Sequence, residues 1–470
     1  MRIETGRDDF TLADIARACS GLLVGKNRIV HAICTDSREA DDTTLFVALR
    51  GERTDGHHYI PGAIERGCCM VMCESWLPSG EASAVIVKNT EHALSRIAAA
   101  YLSTQNMPRV AVTGSVGKTT TKEFVYSVLS TRYHTYKTAG NYNSVIGMPL
   151  SAVEITPAHK AAVFEMGMSS RGEIARMSAA ATPNIAIITN IGSSHLEYLE
   201  TRENIAKAKL EITEGLREGG LLLVNGDEPL LRGVSGPHYR VRSVSLEGNG
   251  DYCGENIVLH PTKECTTFDL RTPEGVLYNF EIPAVGRHMV YDAIFAYVVG
   301  RELGMQECEI RCGLMDYRSS GLRQRLLPVG DITVLEDCYN AAPESMRAAL
   351  YVLGSFARER RCRGVAVLGD MRELGVQSRH MHEQIGVYAV EQGVSLLMTL
   401  GDLGASIGEG AMGAGMADEN VLMHRDLSDL APAARTLHAL LQPGDIVLVK
   451  ASRSVAAERL IEALRSMSAE

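Results

Sequence analysis

Arg109-Val110-Ala111-Val112-Thr113-Gly114-Ser115-Val116-Gly117-Lys118-Thr119-Thr120-Thr121 is the stretch on which the fold turns. An apolar strand runs into a glycine loop and then into a helical pattern, the context in which a phosphate loop is credible. Backbone N–H groups and the helix N-terminus offer partial positive charge there. Gly114 and Gly117 allow close approach, Lys118 neutralises phosphate, and Thr119 can ligate Mg2+. Gly114, Ser115, Val116, Gly117, Lys118, Thr119 and Thr120 are therefore the candidate nucleotide contacts. The longer G-x4-G-K-[ST] form would require Gly at 112, where the chain carries Val112. The short form alone leaves a plain strand–turn–helix as the competing reading.

Outward from this loop, short apolar runs recur at Val110–Thr113, Ala161–Phe164, Asn184–Thr189 and Leu221–Val224, as strands buried on both faces of a parallel sheet do. Helical patterns at Thr119–Thr131 and Arg202–Leu216 lie between them, which predicts a wound β-α unit. A second set of runs at Ile332–Leu335, Val365–Leu368, Leu396–Leu400 and Ile446–Val449 alternates with helices at Ser345–Leu353, His380–Glu391 and Ala456–Leu464. One open sheet carrying both sets would be unusually long, so they form separate domains, and the first hundred residues make a third. Polar stretches at Gln105–Arg109 and Tyr317–Gly321 place the boundaries, giving 1–106, 107–318 and 319–470. The expected fold class is α/β in three domains: a small N-terminal one, a central parallel sheet built on the phosphate loop, and a C-terminal Rossmann-like one.

The 470 residues suit about three domains, and 45% hydrophobic with 22% charged residues excludes a disordered or collagen-like chain. The formal net charge of −10 gives no general electrostatic grip on nucleic acid or anionic membrane, so a bound anion must be held locally. Eleven scattered cysteines, an odd count, read as reduced thiols in a cytoplasm. Cys69 with Cys73, and Cys308 with Cys312, lack zinc-site spacing and are expected to pack in the core. The charged start Met1–Asp9 has no signal-peptide core, and no stretch approaches the roughly 18 apolar residues of a membrane span. A cytoplasmic protein without membrane insertion is expected.

Each later strand of the central unit ends in residues suited to phosphoryl chemistry, at the edge where an α/β sheet gathers its ligands. Glu165 follows the second run as a hard oxygen donor, and His195 follows the third in Thr189-Asn190-Ile191-Gly192-Ser193-Ser194-His195. Gly140-Asn141-Tyr142-Asn143 brings two amides into a turn between them, which in isolation is an Asx-rich loop.

The short loop, Gly140-Asn141-x-Asn143, Glu165, His195 and Ala208-Lys209-Leu210-Glu211-Ile212 occur in the order found in the Mur ligases, ATP-dependent amide ligases of peptidoglycan precursor assembly, which this chain resembles. In that family the lysine matching Lys209 is carbamoylated. An ordinary lysine, with a pKa of about 10.4, is a cation and no Mg2+ ligand, whereas a carbamate is an anionic oxygen donor. The resemblance implies two Mg2+ ions, one on Thr119 and Glu165, the other on His195 and carbamoylated Lys209. It assigns Lys118, Asn141, Glu165, His195 and Lys209 to catalysis. Without it, Lys209 is one charge on an amphipathic helix.

The end domains extend the likeness from about Thr35 to Ala463. Thr35-Asp36-Ser37-Arg38 and Leu45-Phe46-Val47-Ala48-Leu49-Arg50-Gly51-Glu52-Arg53-Thr54-Asp55-Gly56-His57 resemble the domain that holds the uridine diphosphate end of the substrate. By that likeness Ser37, Arg38, Gly51, Asp55, Gly56 and His57, with Asn143 and Ser169 of the central domain, bind substrate. Asp337-Cys338-Tyr339-Asn340-Ala341-Ala342-Pro343-Glu344-Ser345-Met346, Leu368-Gly369-Asp370-Met371-Arg372-Glu373-Leu374-Gly375 and Gly444–Ser454 resemble members that take D-alanyl-D-alanine. Arg323, Asp337, Asn340 and Asp292 are then nucleotide contacts. Asp292 departs from the family, standing where G-x-H-N-x-x-N has an amide, and Ala342 and Ala451 depart where Asn or Ser, and Gly, are common. The implied activity joins D-alanyl-D-alanine to UDP-N-acetylmuramoyl-tripeptide through an acyl phosphate, with the third domain closing on the second. The expected assembly is a monomer without nucleic-acid partners. A Mur-type ligase with another amino donor, or a phosphate-loop protein that binds ATP without ligating, are the alternatives.

Overall fold

The structure is a computed structural model that describes residues 1–51, 54–75 and 82–468; Glu52 and Arg53 of the quoted N-terminal stretch lie outside the described residues. Three sheets carry the fold. The first has six strands in the order Arg2–Glu4, Ala32–Cys34, Thr44–Val47, Met70–Cys73, Ser83–Ile86, Leu22–Val24, with four parallel strands between antiparallel edges. The third, also of six strands, is parallel from Ile332–Glu336 onward and carries one antiparallel edge, Arg325–Val329.

The central sheet has nine strands. Arg109–Thr113 lies between Ala161–Glu165 and Ile185–Ile188, parallel to both, and all three strands are buried throughout. The chain builds to one side of this strand with Thr135–Lys137 and Ala161–Glu165, then to the other with Ile185–Ile188 and Gly220–Asn225. That reversal opens a crevice at the C-terminal strand ends, where the phosphate loop emerges.

Four strands, Tyr239–Ser245, Tyr252–His260, Cys265–Thr272 and Gly275–Ile282, extend this sheet beyond the expected parallel set. Cys265–Thr272 alternates buried and half-buried positions instead of presenting a continuous apolar run. Such a two-residue period marks a sheet with one face toward solvent. The helix expected over Arg202–Leu216 is α-helical only to Leu210 and tightens to 3-10 over Glu211–Gly215. Ser178 Oγ donates to the Ile212 carbonyl at 2.5 Å, and a Cβ on Gly215 would lie 2.0 Å from Ser178 O, so close docking on helix Glu173–Ala181 draws the segment in.

The cysteine expectation fails on one pair. Cys73 ends a buried strand with Cys69 just before it, but Cys308 and Cys312 are exposed on helix Glu307–Met315. That helix buries Ile310, Gly313 and Leu314 instead.

Two devices join the sheets. Arg109, expected in a polar linker, is 1% exposed and donates to the carbonyls of Leu102, Gln105 (2.8 Å) and Ala181 (3.0 Å) and to Thr182 Oγ1 (2.6 Å). It thereby ties the end of helix Thr90–Ser103 to the central sheet, and burial lowers its pKa to about 10. Glu344, in the first turn of helix Pro343–Arg360, reaches across to the central sheet, where its Oε1 accepts from Ser193 N–H and Oγ, both at 2.9 Å. A Cβ on Gly192 would lie 2.8 Å from the Glu344 carboxyl carbon, so only glycine leaves room for this contact.

Arg109→Leu keeps the apolar volume but leaves three carbonyls and a hydroxyl without their donor, at a cost of about 3 kcal/mol. The melting temperature should fall by roughly 10 °C; a fall under about 2 °C would show that these bonds do not hold the linker. Glu344→Ala removes the acceptor for Ser193. Solution scattering of the free protein should then give a larger radius of gyration than wild type, and superimposable profiles would place the hold on the third sheet elsewhere.

Candidate active site

The loop after Arg109–Thr113 is shaped by contact with the neighbouring strand end. Gly114 has φ +151°, and a Cβ there would sit 1.8 Å from Thr189 Oγ1. Thr189 Oγ1 donates to the Val116 carbonyl at 2.6 Å, and Gly192 N–H donates to Ser115 Oγ at 2.8 Å. The N–H groups of Ser115 and Val116 converge on Asn190 Oδ1 at 3.1 and 3.0 Å. Two adjacent N–H groups on one oxygen form an anion-binding concavity. Gly117, at φ +83°, then starts helix Lys118–Ser130 with no side-chain cap. Lys118 Nζ donates to the carbonyls of Gly114 (2.8 Å) and Ser115 (3.2 Å), and burial lowers its pKa against the opposing field of Glu165.

Glu165, 2% exposed, ends the adjacent strand. Thr119 Oγ1 donates to its Oε2 at 2.9 Å, and Asn143 Nδ2 donates to Oε1 at 2.8 Å. Behind it lies Lys122, whose Nζ stands 3.5 Å from Glu165 Oε2 and 3.4 Å from Glu123 Oε1 and donates to the Thr138 carbonyl at 2.9 Å. Lys137 in turn pairs with Glu123. Lys122 offsets the buried charge of Glu165. Sequence reading passed over it, although it stands one helical turn after Lys118 in Lys118-Thr119-Thr120-Thr121-Lys122.

His195 sits at φ +66° with its Nδ1 2.6 Å from Glu373 Oε2 of the third sheet's domain. It holds the Glu373 carboxyl below the ordinary glutamate range. Lys209 is 1% exposed. Burial first, and the Lys118 charge second, hold its pKa well below that of lysine, and no carboxylate pairs with it among the described residues.

The phosphate loop, Asn143, Glu165 and His195 border a cavity of about 540 Å3 between the central and third sheets. Its far wall carries Arg323, stacked 3.8 Å over the Tyr339 ring, and Asp337, whose Oδ2 accepts from Lys450 Nζ at 2.6 Å. Lys450 also donates to the Asn340 carbonyl at 3.0 Å. Asp292 lines the same cavity and is pushed up to about 8 by burial, and burial also pushes His288 down to about 4. Ser115 through Thr120, Asn143, Glu165, Ser169, His195, Asp292, Arg323, Asp337 and Asn340 thus meet at one place. Lys450 and Glu344 line the cavity too, with Lys122 against Glu165 and Glu373 against His195, and none of the four was singled out from the sequence.

Other expected residues lie apart. Asn141 is exposed and outside the cavity wall, its carbonyl accepting from Asn143 N–H at 2.7 Å, so it shapes the turn that presents Asn143. Lys209 is also outside the wall. The N-terminal residues form a separate polar cluster. Ser37 begins a 3-10 turn capped by Asp36, and Arg38, its side chain 80% exposed, pairs with Asp36 at 2.6 Å. His57 Nδ1 stands 2.6 Å from Asp55, and its Nε2 accepts from Glu74 N–H at 2.9 Å. Gly51 N–H donates to Thr54 O at 2.9 Å and Gly56 N–H to Leu49 O at 2.7 Å.

Three family models match successive parts of the chain: the Mur ligase family catalytic domain at residues 29–102, the Mur ligase middle domain at 112–300, and the Mur ligase glutamate ligase domain at 323–453. UDP-N-acetylmuramoyl-tripeptide–D-alanyl-D-alanine ligase of Bacillus subtilis strain 168 is 35% identical over 460 residues, 97% of this chain and 98% of the relative. A crystal structure of MurF from Acinetobacter baumannii superposes with a TM-score of 0.89 at 28% identity, covering 99% of each chain. The ADP complex of MurF ligase from Thermotoga maritima gives 0.81 at 26% identity, over 93% of this chain and 97% of that one. On sequence, on fold and on the residues gathered at the cavity, the chain belongs to the Mur ligase family.

Proposed function

We propose that the chain is an ATP-dependent ligase that forms the amide bond between UDP-N-acetylmuramoyl-tripeptide and D-alanyl-D-alanine, releasing ADP and phosphate. The observation that carries the reading is the cavity itself, in which the phosphate loop, Glu165 and His195 of one sheet face Arg323, Asp337 and Lys450 of another. The substrate carboxylate oxygen attacks the γ-phosphorus and ADP leaves with the bonding pair. The dipeptide amine then attacks the acyl carbon, its nitrogen gives up one proton to solvent, and phosphate leaves with the former carboxylate oxygen.

The residues act on charge and position. Lys118 and the loop N–H groups stabilise negative charge spreading over the transferred phosphoryl group. Asn143 orients Glu165, and Lys122 stands 3.5 Å behind its Oε2. The Glu344–Ser193 and Glu373–His195 contacts bring the third domain onto the second and keep water from an acyl phosphate. The division of labour follows the chain: 1–106 holds the uridine diphosphate end through the Arg38 and Asp55–His57 cluster, 107–318 binds ATP, and 319–470 closes the site and delivers the amine. A monomer is the assembly we expect, and among the described residues no helix is long and apolar enough to cross a membrane. Cytoplasmic action follows from substrates of this kind.

Thr119 and Glu165 suit one Mg2+, being a hydroxyl and a carboxylate 2.9 Å apart. His195 with a carbamate on Lys209 suits a second. The buried, unpaired Lys209 amine fits this modification, because only the neutral amine adds CO2, losing one proton as the carbamate forms. Bound Mg2+ supplies charge neutralisation for the phosphoryl group.

ADP release should require both UDP-N-acetylmuramoyl-tripeptide and D-alanyl-D-alanine. Release indifferent to both would sink the ligase reading, and equal turnover with single amino acids would favour a Mur-type ligase for another amino donor. Lys209→Ala should lose activity at least a hundredfold, with no rescue by excess bicarbonate. In 13C-bicarbonate the wild type should show a carbamate carbonyl resonance that the variant lacks; full activity in the variant would remove the carbamate from the mechanism.

A further inference from the structure

Asp292 is an acid placed where a negative charge has no partner. It lies on helix Arg287–Glu302, is 4% exposed, and makes one side-chain hydrogen bond, accepted by Oδ1 from Thr121 Oγ1. No basic side chain pairs with it among the described residues. A Cβ built on Gly117 would lie 3.4 Å from Asp292 Oδ1, so the carboxyl stands directly behind the phosphate loop while also lining the cavity. An ionised carboxylate there would repel the phosphates that Lys118 and the loop N–H groups attract.

The neighbouring titratable groups do not relieve this. Tyr317, stacked on Phe124 of helix Lys118–Ser130, is held un-ionised by burial and senses Asp292, Glu123 and Arg323. His288, one turn earlier on the same helix as Asp292, is kept neutral by burial. Thr121 supplies the one stabilising contact to the charged form, and burial outweighs it.

We infer that Asp292 serves the nucleotide site as a neutral carboxylic acid, its Oδ1 fixed by Thr121 and its proton on Oδ2 available for donation into the cavity, so that its ionisation expels the nucleotide. This rests on the reading of the cavity as the ATP site. Asp292 is then a binding residue whose protonation state sets nucleotide affinity, and an amide at 292 reproduces the neutral form at every pH.

The sign of the linked stability effect is fixed. The unfolded aspartate ionises near 3.9, whereas the folded group holds its proton up to about 8. Stability contributed by this group therefore falls as pH rises through that window, and the full cost is reached above it.

Calorimetric titration of the full chain with ADP at pH 7 and pH 9.5 tests the inference, beside Asp292→Asn. Between the two values the wild type should lose at least tenfold more affinity than the variant, since the titration of Lys118 is common to both. Near pH 8 the wild type should take up more protons on binding than the variant, read from the dependence of binding heat on buffer. Asp292→Asn should also melt higher than wild type at pH 9, with the gap closing toward pH 4. Equal pH dependence in both proteins, or an undiminished wild-type affinity at pH 9.5, overturns the role of Asp292. Failure of the wild type to bind ADP at either pH overturns instead the assignment of the cavity on which it rests.

Discussion

Thr113 pairs with Ile188, and Val112 with Glu165, in the parallel ladder at the centre of the second sheet. Because all three strands are buried and run the same way, this register decides which side chains arrive together at the crevice. A two-residue slip in either neighbour would carry Glu165 or Thr189 away from the loop. The level ends let Thr189 close on Gly114, let Asn190 collect the Ser115 and Val116 N–H groups, and set Thr119 against Glu165. The loop from Thr189 to His195 then reaches outward to Glu344 and Glu373. The phosphate loop and the docking of the third domain are thus braced by one short segment.

Electrostatics are local throughout. With a net charge of −10, the chain as a whole offers no attraction to a polyanionic substrate. Lys118, Arg323 and Lys450 concentrate positive charge in one cavity, each held by carbonyls, an aromatic face or a carboxylate. Three buried ionisable groups of the central domain receive opposite treatment. Glu165 is compensated by Lys122, while Lys209 and Asp292 are left without a counter-ion and driven toward their neutral forms. A neutral amine can be modified and a neutral acid can donate, so missing partners matter here as much as present ones.

The strand–loop–helix, the parallel strands on either side and the alternating third domain were legible because buried parallel strands write continuous apolar runs. The four outer strands Tyr239–Ile282 were not, since a sheet with a wet face alternates and carries charges such as Arg240 and Arg242. Glu165 and His195 were legible from their places at or beyond strand ends, and Asn143 only from the family likeness of the Gly140–Asn143 segment. Asn141 was grouped with Asn143 by that same likeness, yet the turn points only one amide at Glu165. Lys122, Glu344 and Glu373 went unread because each acts through a partner distant in sequence: Glu165, Ser193 and His195. Arg109 looked like linker, and its burial comes from carbonyls that only the folded chain brings around it.

The central step is an acyl phosphate formed and consumed in this one cavity. Turnover with tripeptide carrying 18O in its terminal carboxylate tests it most directly. One labelled oxygen should appear in each phosphate released as D-alanyl-D-alanine is joined, because the attacking carboxylate oxygen leaves with phosphorus. Unlabelled phosphate accompanying full amide formation would contradict the account.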